Sequence, residues 1–432
     1  MARKMKDSGI EWIGEIPADF SLYKLKYLLS SPLCYGANES GTLYSDILPR
    51  YIRITDISPN GTLKNSGMLS LDESSAQNYM LHEGDILFAR SGATVGKSFI
   101  YHNYYGRAAY AGYLIKASFN RLVLPEFVYY YTCSSAYEIW KNSIFIQSTI
   151  QNIGADRYSN LPISVPNSID KQLRIVRYLN NFCSKFDAIV YNLQTSIEDY
   201  KKLKQAVITQ AITKGVRGER EMKDSGVAWI GEIPKEWVCE KIKYATSISR
   251  GLFNHRPRND ERYYNGKYPF IQTGDVANAT KYIVSYSQTL NELGKSVSKE
   301  FPKGTLTMTI AANVGDVAIL NFDAYFPDSV VGFVPNKNIR TLYLFYVFSA
   351  MKDEFIRTAI KSTQLNLNID RVKETFIPVT LNVNEQCEIE NYLESKCAEI
   401  DGLIAKKEQL VKELESYKKS LIYEVVTGKR EV

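Results

Sequence analysis

Histidine, cysteine and long apolar runs are scarce in this sequence of 432 residues. The three histidines lie at positions 82, 102 and 255, without the spacing of metal ligands. The six cysteines form no Cys-x-x-Cys pair, which favours reduced, packed thiols over zinc sites or disulfides. The most apolar run, residues 342–351, is too short to cross a bilayer, and the first residues lack the apolar core of a signal peptide. We therefore expect a cytoplasmic protein with no metal site and no membrane partner.

Common catalytic motifs are also lacking. Residues 92–98, Gly-Ala-Thr-Val-Gly-Lys-Ser, are one residue short of the phosphate-binding loop G-x-x-x-x-G-K-[ST], and we interpret them as a turn between strands. No G-x-G-x-x-G follows a predicted strand, no Asn-Pro-Pro-Tyr or Asp-Pro-Pro-Tyr tetrapeptide is present, and no acidic cluster with a following Lys indicates a nuclease. The sequence therefore predicts a chain that is non-catalytic by itself and carries no cofactor.

The composition is that of a globular protein with a mild basic bias. Hydrophobic residues make up 45% of the chain and charged residues 23%, which leaves room for two or three domains with cores of their own. The formal net charge is +6. This charge permits nucleic acid as a partner but does not require it.

An internal repeat is the most specific feature of the sequence. Residues 5–17, Met-Lys-Asp-Ser-Gly-Ile-Glu-Trp-Ile-Gly-Glu-Ile-Pro, return as residues 222–234 with differences only at Ile10/Val227 and Glu11/Ala228. We call these two stretches the repeat segments. Their apolar residues, Trp12 among them, suit a hook that packs where a body meets a helix; the alternative is a direct ligand role for Trp12 or its copy Trp229. The chain is thus predicted to be repeat segment, body and long helix, twice over.

Two long amphipathic runs, residues 171–213 and 385–427, are also copies in register. Both carry apolar residues in alternating steps of four and three, the pattern of a coiled-coil seam. Ser168 and Asn384 are the predicted N-caps, and Gly215 and Gly428 mark the ends. A helix about 60 Å long cannot bury such a seam on itself, so we expect the two copies to pair antiparallel within one chain. The predicted seam residues are Ile175, Leu179, Phe186, Leu193 and Ile197 in the first helix, and Ile389, Leu393, Ile400, Leu414 and Leu421 in the second.

The two bodies share a predicted skeleton but not its surface residues. Strands are expected at 50–57 and 84–90 in the first body and at 268–276 and 305–310 in the second, followed by a helix at 125–141 and 342–360. At equivalent places, however, Tyr-Ile-Arg-Ile-Thr-Asp ending at Asp56 faces Phe-Ile-Gln-Thr-Gly-Asp ending at Asp275. Equal frames suit two identical protein partners, and unlike bodies suit a target with two unlike halves, such as a two-part site on double-stranded DNA.

Candidate DNA-contacting residues follow from the donor and acceptor pattern of base edges. Arginine suits guanine, glutamine or asparagine suits adenine, and lysine or serine suits phosphate. For each of them the alternative is an ordinary solvated surface residue. The candidates are Arg53, Thr55, Arg90, Ser91, Lys97, Arg107, Gln151 and Asn152 in the first body, and Arg256, Arg258, Gln272, Thr273, Asn313, Lys361, Gln364 and Asn366 in the second.

The repeat segment, the Gly84-Asp-Ile-Leu strand, the connector Ser-Thr-Gln-Leu-Asn-Leu at 362–367 and the helix start at Gln386 together resemble the specificity subunit of type I restriction-modification systems over the full chain. The resemblance implies an α+β fold with two pseudo-symmetric mixed α/β target-recognition domains, separated by two long antiparallel helices that form an intramolecular coiled coil. First domain, first spacer helix, second domain and second spacer helix would occupy residues 1–167, 168–215, 216–382 and 383–432.

The resemblance also implies a function. Such a subunit reads DNA without catalysis, each domain taking one half of an asymmetric two-part site. It docks two modification subunits that methylate adenine with S-adenosylmethionine, and it can recruit restriction subunits that use ATP and Mg²⁺. These cofactors would belong to the partners. The alternatives are a coiled-coil adaptor that does not bind DNA, and an enzyme with an unrecognised site.

Overall fold

The structure, a computed structural model, describes residues 3–58, 61–92, 94–146, 152–358, 360–361 and 365–432. The chain forms two compact units, Met1–Gln194 with Glu408–Val432, and Thr195–Lys407. Each unit holds one repeat segment, one body and a portion of both long helices. The four-segment division predicted from the sequence stays a prediction.

The first repeat segment folds as a hairpin that packs on a helix end. Strand β1 (Met5–Asp7) pairs antiparallel with β2 (Glu15–Pro17). Between and beside them, Ile13 and Ile16 are buried in one core with Leu421 and Val425. The predicted apolar hook is therefore confirmed for the isoleucines. The indole Nε1 of Trp12 is buried and has no hydrogen-bond partner among the described residues.

The first body is built from short strands in two four-stranded sheets, counting the described residues, and one strand pair. One sheet has the order β4-β11-β8-β9 and is antiparallel throughout, the other has the order β10-β6-β7-β5 with β10 and β6 parallel, and β3 pairs with β12. The strands are β3 (Phe20–Lys24), β4 (Cys34–Tyr35), β5 (Thr42–Leu43), β6 (Arg50–Ile52), β7 (Leu69–Ser70), β8 (Ile86–Ala89), β9 (Ser98–Ile100), β10 (Ala108–Tyr110), β11 (Leu114–Ala117) and β12 (Pro162–Pro166). The antiparallel pairing of β8 with β9 confirms the predicted turn between strands over its described residues, 92 and 94–97, and Ser98 is already the first residue of β9.

The helices of the first body are α1 (Glu73–Ala76), α2 (Pro125–Thr132), α3 (Ser135–Ile146) and α4 (Ala155–Ser159), and α5 (Ile169–Lys214) is the first long helix. The prediction of a single helix at 125–141 is wrong, because the helix is interrupted between α2 and α3. The buried Ser134 hydroxyl donates to the carbonyl of Tyr131 at 2.6 Å, a side-chain bond that competes with continued helix.

The second unit repeats this arrangement. The sheet order β16-β24-β21-β22 matches β4-β11-β8-β9 of the first body and gains β18 at its edge; a second sheet has the order β19-β17-β23-β20. The strands are β13 (Met222–Asp224), β14 (Glu232–Pro234), β15 (Val238–Lys241), β16 (Thr246–Arg250), β17 (Tyr264–Phe270), β18 (Tyr282–Ile283), β19 (Gln288–Leu290), β20 (Glu300–Phe301), β21 (Leu306–Thr309), β22 (Val317–Leu320), β23 (Ala324–Tyr325), β24 (Val330–Pro335), β25 (Ile360–Lys361), β26 (Leu365–Asn366) and β27 (Phe376–Val379).

The helices of the second unit are mostly short. They are α6 (Ile242–Ala245), α7 (Thr273–Asn278), α8 (Glu292–Ser296), α9 (Thr341–Ala350), α10 (Lys352–Thr358) and α11 (Ile369–Glu374), and α12 (Val383–Val426) is the second long helix. The helix predicted at 342–360 is thus two helices. The predicted N-cap Asn384 is also wrong, because α12 begins one residue before it. Asn382 precedes the helix, and its Oδ1 accepts from the backbone N–H of Asn384 at 3.0 Å.

The strands predicted through Arg53 and Gln272 end earlier than expected. Strand β6 ends at Ile52 and β17 at Phe270, and a helical turn follows each: a 3-10 turn at Ile54–Asp56 and helix α7. An aspartate three residues after Arg53 or Gln272 accepts the backbone N–H of that residue and so closes the turn. Local capping therefore overrides the β propensity of these stretches.

The long helices run antiparallel in the first unit. Ile175 near the start of α5 shares a core with Leu421 near the end of α12. Further along α5, Asp187 pairs with Lys418 of α12 at 2.5 Å. As residue numbers increase along α5, the numbers of the α12 residues that it contacts decrease, which is the antiparallel arrangement.

The same direction holds in the second unit. Lys407 lies over the ring of Tyr200 at 5.6 Å, and Lys204 pairs with Asp401 at 2.6 Å. The chain is therefore an α+β protein with two pseudo-symmetric mixed α/β bodies and two long antiparallel helices. This confirms the predicted fold class.

Candidate nucleic-acid interface

Arg53 lies just after β6, where an aspartate fixes its side chain. Its Nε donates to Asp56 Oδ2 at 3.1 Å and its Nη2 to Asp56 Oδ1 at 2.9 Å, while Nη2 also donates to the carbonyl of Gly67 at 2.8 Å. The hydrogen bonds to Asp56 raise the pKa of Arg53. Asp56 is buried, whereas about a third of the Arg53 side chain, 35%, is exposed. The candidate Thr55 is exposed in the same turn.

Arg90, Ser91 and Asn152 come together at the end of β8. The Arg90 guanidinium lies 4.9 Å from the centre of the Tyr35 ring, and Ser91 forms an antiparallel bridge with Asn152. Arg90 Nε and Asn152 Oδ1 are both buried and have no hydrogen-bond partner among the described residues. Lys97 is exposed beyond this bridge, in the turn before β9.

Arg107 and Arg53 lie at opposite ends of β6, because β6 and β10 run parallel. Because β10 and β6 are parallel, Arg107 lies beside the start of β6, where its carbonyl accepts from the N–H of Arg50 at 2.9 Å. Arg53 lies at the opposite end of the same strand. The Arg107 side chain pairs with Glu73, and both side chains are exposed. The structure therefore does not join these two arginines into one site.

Arg258 and Gln272 line one open cavity of about 520 Å³ in the second body. The Arg258 guanidinium pairs with Asp328, which also lies 3.6 Å from Nη2 of Arg256. Gln272 Nε2 donates to Oε1 of Gln288 at 3.0 Å. The other lining residues are Phe253, Asn259, Glu261, Tyr264, Asn265, Phe270, Tyr286, Ser287, Gln288, Thr289 and Pro327.

The remaining candidates of the second body are scattered. Thr273 is the half-buried first residue of α7, and Asn313 is exposed in the turn between β21 and β22. The backbones of Lys361 and Asn366 belong to the paired strands β25 and β26, but their side chains are outside the described part of the chain. Gln151 and Gln364 lie outside the described residues altogether.

The predicted seam residues are mostly enclosed. Seven are buried and three are half-buried. The buried ones are Ile175, Leu179, Ile197, Ile389, Leu393, Ile400 and Leu421, and the half-buried ones are Phe186, Leu193 and Leu414.

Each body is held to its long helix by a repeated glutamine anchor. Gln172 of α5 is fully buried; its Oε1 accepts from the N–H of Leu124 at 2.8 Å, and its Nε2 donates to the carbonyls of Leu122 and Pro166, both at 3.0 Å. The sequence showed this residue only as part of the repeat. The role of Gln172 as an anchor could not be predicted from the sequence, because its hydrogen bonds form only when the folded body surrounds it.

The copy of this anchor in the second unit has the same bonds. Gln386 is fully buried, accepts from the N–H of Arg340, and donates to the carbonyls of Asn338 and Thr380, all at 2.8 Å. One frame therefore fixes both bodies in the same way, although their exposed residues differ.

Metal and membrane features are not found in the part of the chain that the structure describes. No group of three or more His, Cys, Asp or Glu side chains there could hold a metal ion. No helix there is both long and apolar enough to cross a membrane.

Comparisons with known proteins agree with this architecture. Residues 44–199 and 248–413 match the family model of the type I restriction modification DNA specificity domain. In Methanocaldococcus jannaschii, a candidate specificity subunit of the type I restriction enzyme MjaX is 24% identical over 96% of this chain and 95% of its own length. The MjaVIII specificity subunit of the same organism is 22% identical over 81% of this chain and 80% of its own length.

A solved structure has the same fold. It was described in work on complex assembly and conformational transition of the type I R-M system, and it superposes with a TM-score of 0.71 at 14% identity, covering 96% of this chain and 99% of its own. Since the family model matches both halves of the sequence, the chain belongs to the type I restriction-modification DNA specificity family.

Proposed function

We propose that this chain is the DNA-reading specificity subunit of a type I restriction-modification complex, with each body reading one half of an asymmetric two-part site. The chain supplies base contacts and no catalytic group. Its relatives carry the names of type I specificity subunits, which supports the DNA-reading role.

One observation carries the two-half reading. The Gln172 and Gln386 anchors make equivalent bonds in the two units, while the residues that follow β6 and β17 differ. An identical frame with unlike exposed side chains suits a target whose halves have unlike sequences. A target with two identical halves would favour identical readers.

The repeated frame also supports two identical protein partners. We infer that these are two modification subunits, which hold S-adenosylmethionine and methylate adenine, and that restriction subunits with ATP and Mg²⁺ can join them. The two long helices would dock the modification subunits and set the spacing between the half-sites.

A salt titration of duplex binding tests the proposal against the adaptor alternative. A DNA reader loses affinity steeply as salt rises, because bound phosphates release counterions, and it keeps a preference for its own site over a scrambled duplex. A coiled-coil adaptor shows neither property. The chain purified with its modification subunits is the sample to use, and equal affinity for site and scrambled duplexes would contradict the proposal.

Lengthening the long helices tests their role in spacing. One added heptad in each helix keeps the seam in phase and adds about 10 Å, close to three base pairs of duplex. We expect the gap between the half-sites to grow by about that amount while the bases in each half stay the same. A change in the bases themselves would contradict the spacing role.

A further inference from the structure

The two bodies place different side chains at one structurally equivalent position. Arg53 follows β6 and Gln272 follows β17 at the start of a helical turn. In both, the carboxylate three residues later accepts the backbone N–H of that position at 2.8 Å, from Asp56 and Asp275 respectively. The backbone N–H is thus held by an aspartate in both bodies, while the side chain presented at this position differs.

The first body presents hydrogen-bond donors at this position. Both Nε and Nη2 of Arg53 are held by Asp56, and Nη2 also by Gly67, so the plane of the guanidinium is fixed. Nη1 has no partner among the described residues and keeps two N–H donors. Guanine offers two acceptors, O6 and N7, on its major-groove edge, and it is the base that a set of donors alone matches best.

The second body presents a donor beside an acceptor. Gln272 donates to Gln288, so Oε1 of Gln272 keeps a lone pair, while the Gln288 amide nitrogen has no acceptor among the described residues. Two amides joined in this way offer one carbonyl oxygen and one NH₂ group on their outer edge. Adenine carries the complementary pair, the N6 donor beside the N7 acceptor.

The cavity around Gln272 suits a base edge better than a phosphate. Its cation Arg258 is already paired with Asp328, and the carboxylate of Glu261 lines the same cavity. A phosphate would meet little uncompensated positive charge there. The remaining polar lining consists largely of amide and hydroxyl side chains, which bind base edges.

We propose that this equivalent position is the base-reading position of each body: Arg53 reads a guanine in one half-site, and Gln272 with Gln288 reads an adenine in the other. The inference rests on the proposed function. It names the residues that recognise one base in each half-site. The base that each recognises follows from the donors and acceptors left available by Asp56 in the first body and by the bond between Gln272 and Gln288 in the second.

An exchange of the two readers is the sharpest test. The full chain with its modification subunits is used to select sites from a pool of random-sequence duplexes. In Arg53→Gln we expect one position of one half-site to change from guanine towards adenine, with the other half unchanged. In Gln272→Arg, Asp275 supplies the carboxylate that Asp56 supplies to Arg53, so we expect one adenine of the other half-site to become guanine. Discrimination at each position is expected to change about tenfold or more.

Control variants separate reading from folding. Arg121→Gln removes the same charge from an exposed site of the first body, and Asn338→Ala removes an exposed side-chain amide from the second while keeping the backbone carbonyl that Gln386 bonds. Neither variant should alter the selected site. Thermal unfolding of each variant checks that it is folded. Arg53→Lys keeps the charge but loses the planar fork, so it should weaken the guanine preference without replacing it.

The outcomes distinguish the inference from the function beneath it. A wild-type chain that selects no two-part site contradicts the proposed function itself. A wild-type chain that selects such a site, with folded reader variants that select the same bases, overturns only this inference. A folded variant that loses binding to every duplex in the pool also overturns it, because a base reader should find a new base.

Discussion

Removing the second glutamine anchor should destabilise the second unit strongly. Gln386→Leu keeps the size of the buried side chain but leaves the N–H of Arg340 and the carbonyls of Asn338 and Thr380 without their partner. Each unpaired buried group costs about 1–3 kcal/mol. The bonds of Arg340 and Asn338 are only partly buried, so water can satisfy them in part, and we expect a total loss of about 3 kcal/mol in the free energy of unfolding.

Hydrogen exchange measured by mass spectrometry is the appropriate assay, because it reports the two units separately. A loss of about 3 kcal/mol corresponds to exchange about two orders of magnitude faster in the protected amides of α9, which begins next to Arg340. The amides of α2 should be unaffected. Gln172→Leu should give the converse result, with faster exchange in α2 and unchanged exchange in α9.

The reasoning would be refuted by one clear result. If Gln386→Leu unfolds within about 0.5 kcal/mol of the wild type and exchange in α9 is unchanged, the three hydrogen bonds do not anchor the body. Gln409→Leu supplies the matched control, because among the described residues the side chain of this glutamine bonds to Glu413 on the exposed face of α12.

Three further changes probe acid stability, helix pairing and a helix end. Burial raises the pKa of Glu385, but hydrogen bonds, led by the one from Arg220, lower that pKa below its ordinary 4.5. The stabilisation that this carboxylate contributes is therefore full above about pH 4.5 and is lost as the pH falls through the folded pKa. The difference in unfolding free energy between wild type and Glu385→Gln should shrink in acid. In urea unfolding, Leu393→Ala should cost about 2–5 kcal/mol and the exposed-pair variant Asp401→Ala less than about 1 kcal/mol. Gly428→Ala should lower the melting temperature, because φ is +72° and a Cβ would come within 2.5 Å of a proline ring.

Each of these has a matched control. Glu236→Gln removes the exposed carboxylate on the other side of Arg220 and is the control for removing a carboxylate partner of that arginine. Gly9 has a similar φ of +71° with open space around it, so Gly9→Ala isolates the backbone strain from the steric contact at Gly428. Equal losses at the two glycines would show that the contact with Pro17 contributes nothing. A loss at Asp401 as large as that at Leu393 would show that charge, and not the apolar seam, holds the helices together.

The frame could be predicted because its signals are local and occur twice. The repeat segments are nearly identical in sequence, and the seam of each helix recurs every three or four residues, so each copy checks the other. The helix ends were predictable for the same reason: Gly215 and Gly428 both adopt a positive φ just beyond their helices. Among the ends of the two long helices, the N-cap of α12 differs from the prediction: Asn382 precedes the helix, where Asn384 was predicted. A difference of two residues is usual for helix boundaries.

The candidate site was less predictable, because its geometry depends on distant partners. Arg53 and Arg107 look equivalent in the sequence, yet the parallel pairing of β6 and β10 places them at opposite ends of a strand. Gln288 was missed, since its contact with Gln272 needs the pairing of β19 with β17. One signal was available: the aspartate three residues after Arg53 and after Gln272, at the same place in both aligned stretches.

The frame is easier to predict than the candidate site because the groups that hold the backbone recur in both bodies, whereas the side chains at the positions they hold differ. Groups that fix the backbone, such as Asp56 and Asp275, bond to the main chain and so do not depend on the identity of the side chain beside them. A substitution at Arg53 or Gln272 therefore leaves the backbone bond in place while changing the donors and acceptors presented. Under the proposed assignment, a body built in this way can change the base that it reads while the turn stays closed, and the side chains that differ between the bodies show no repeat for sequence analysis to detect.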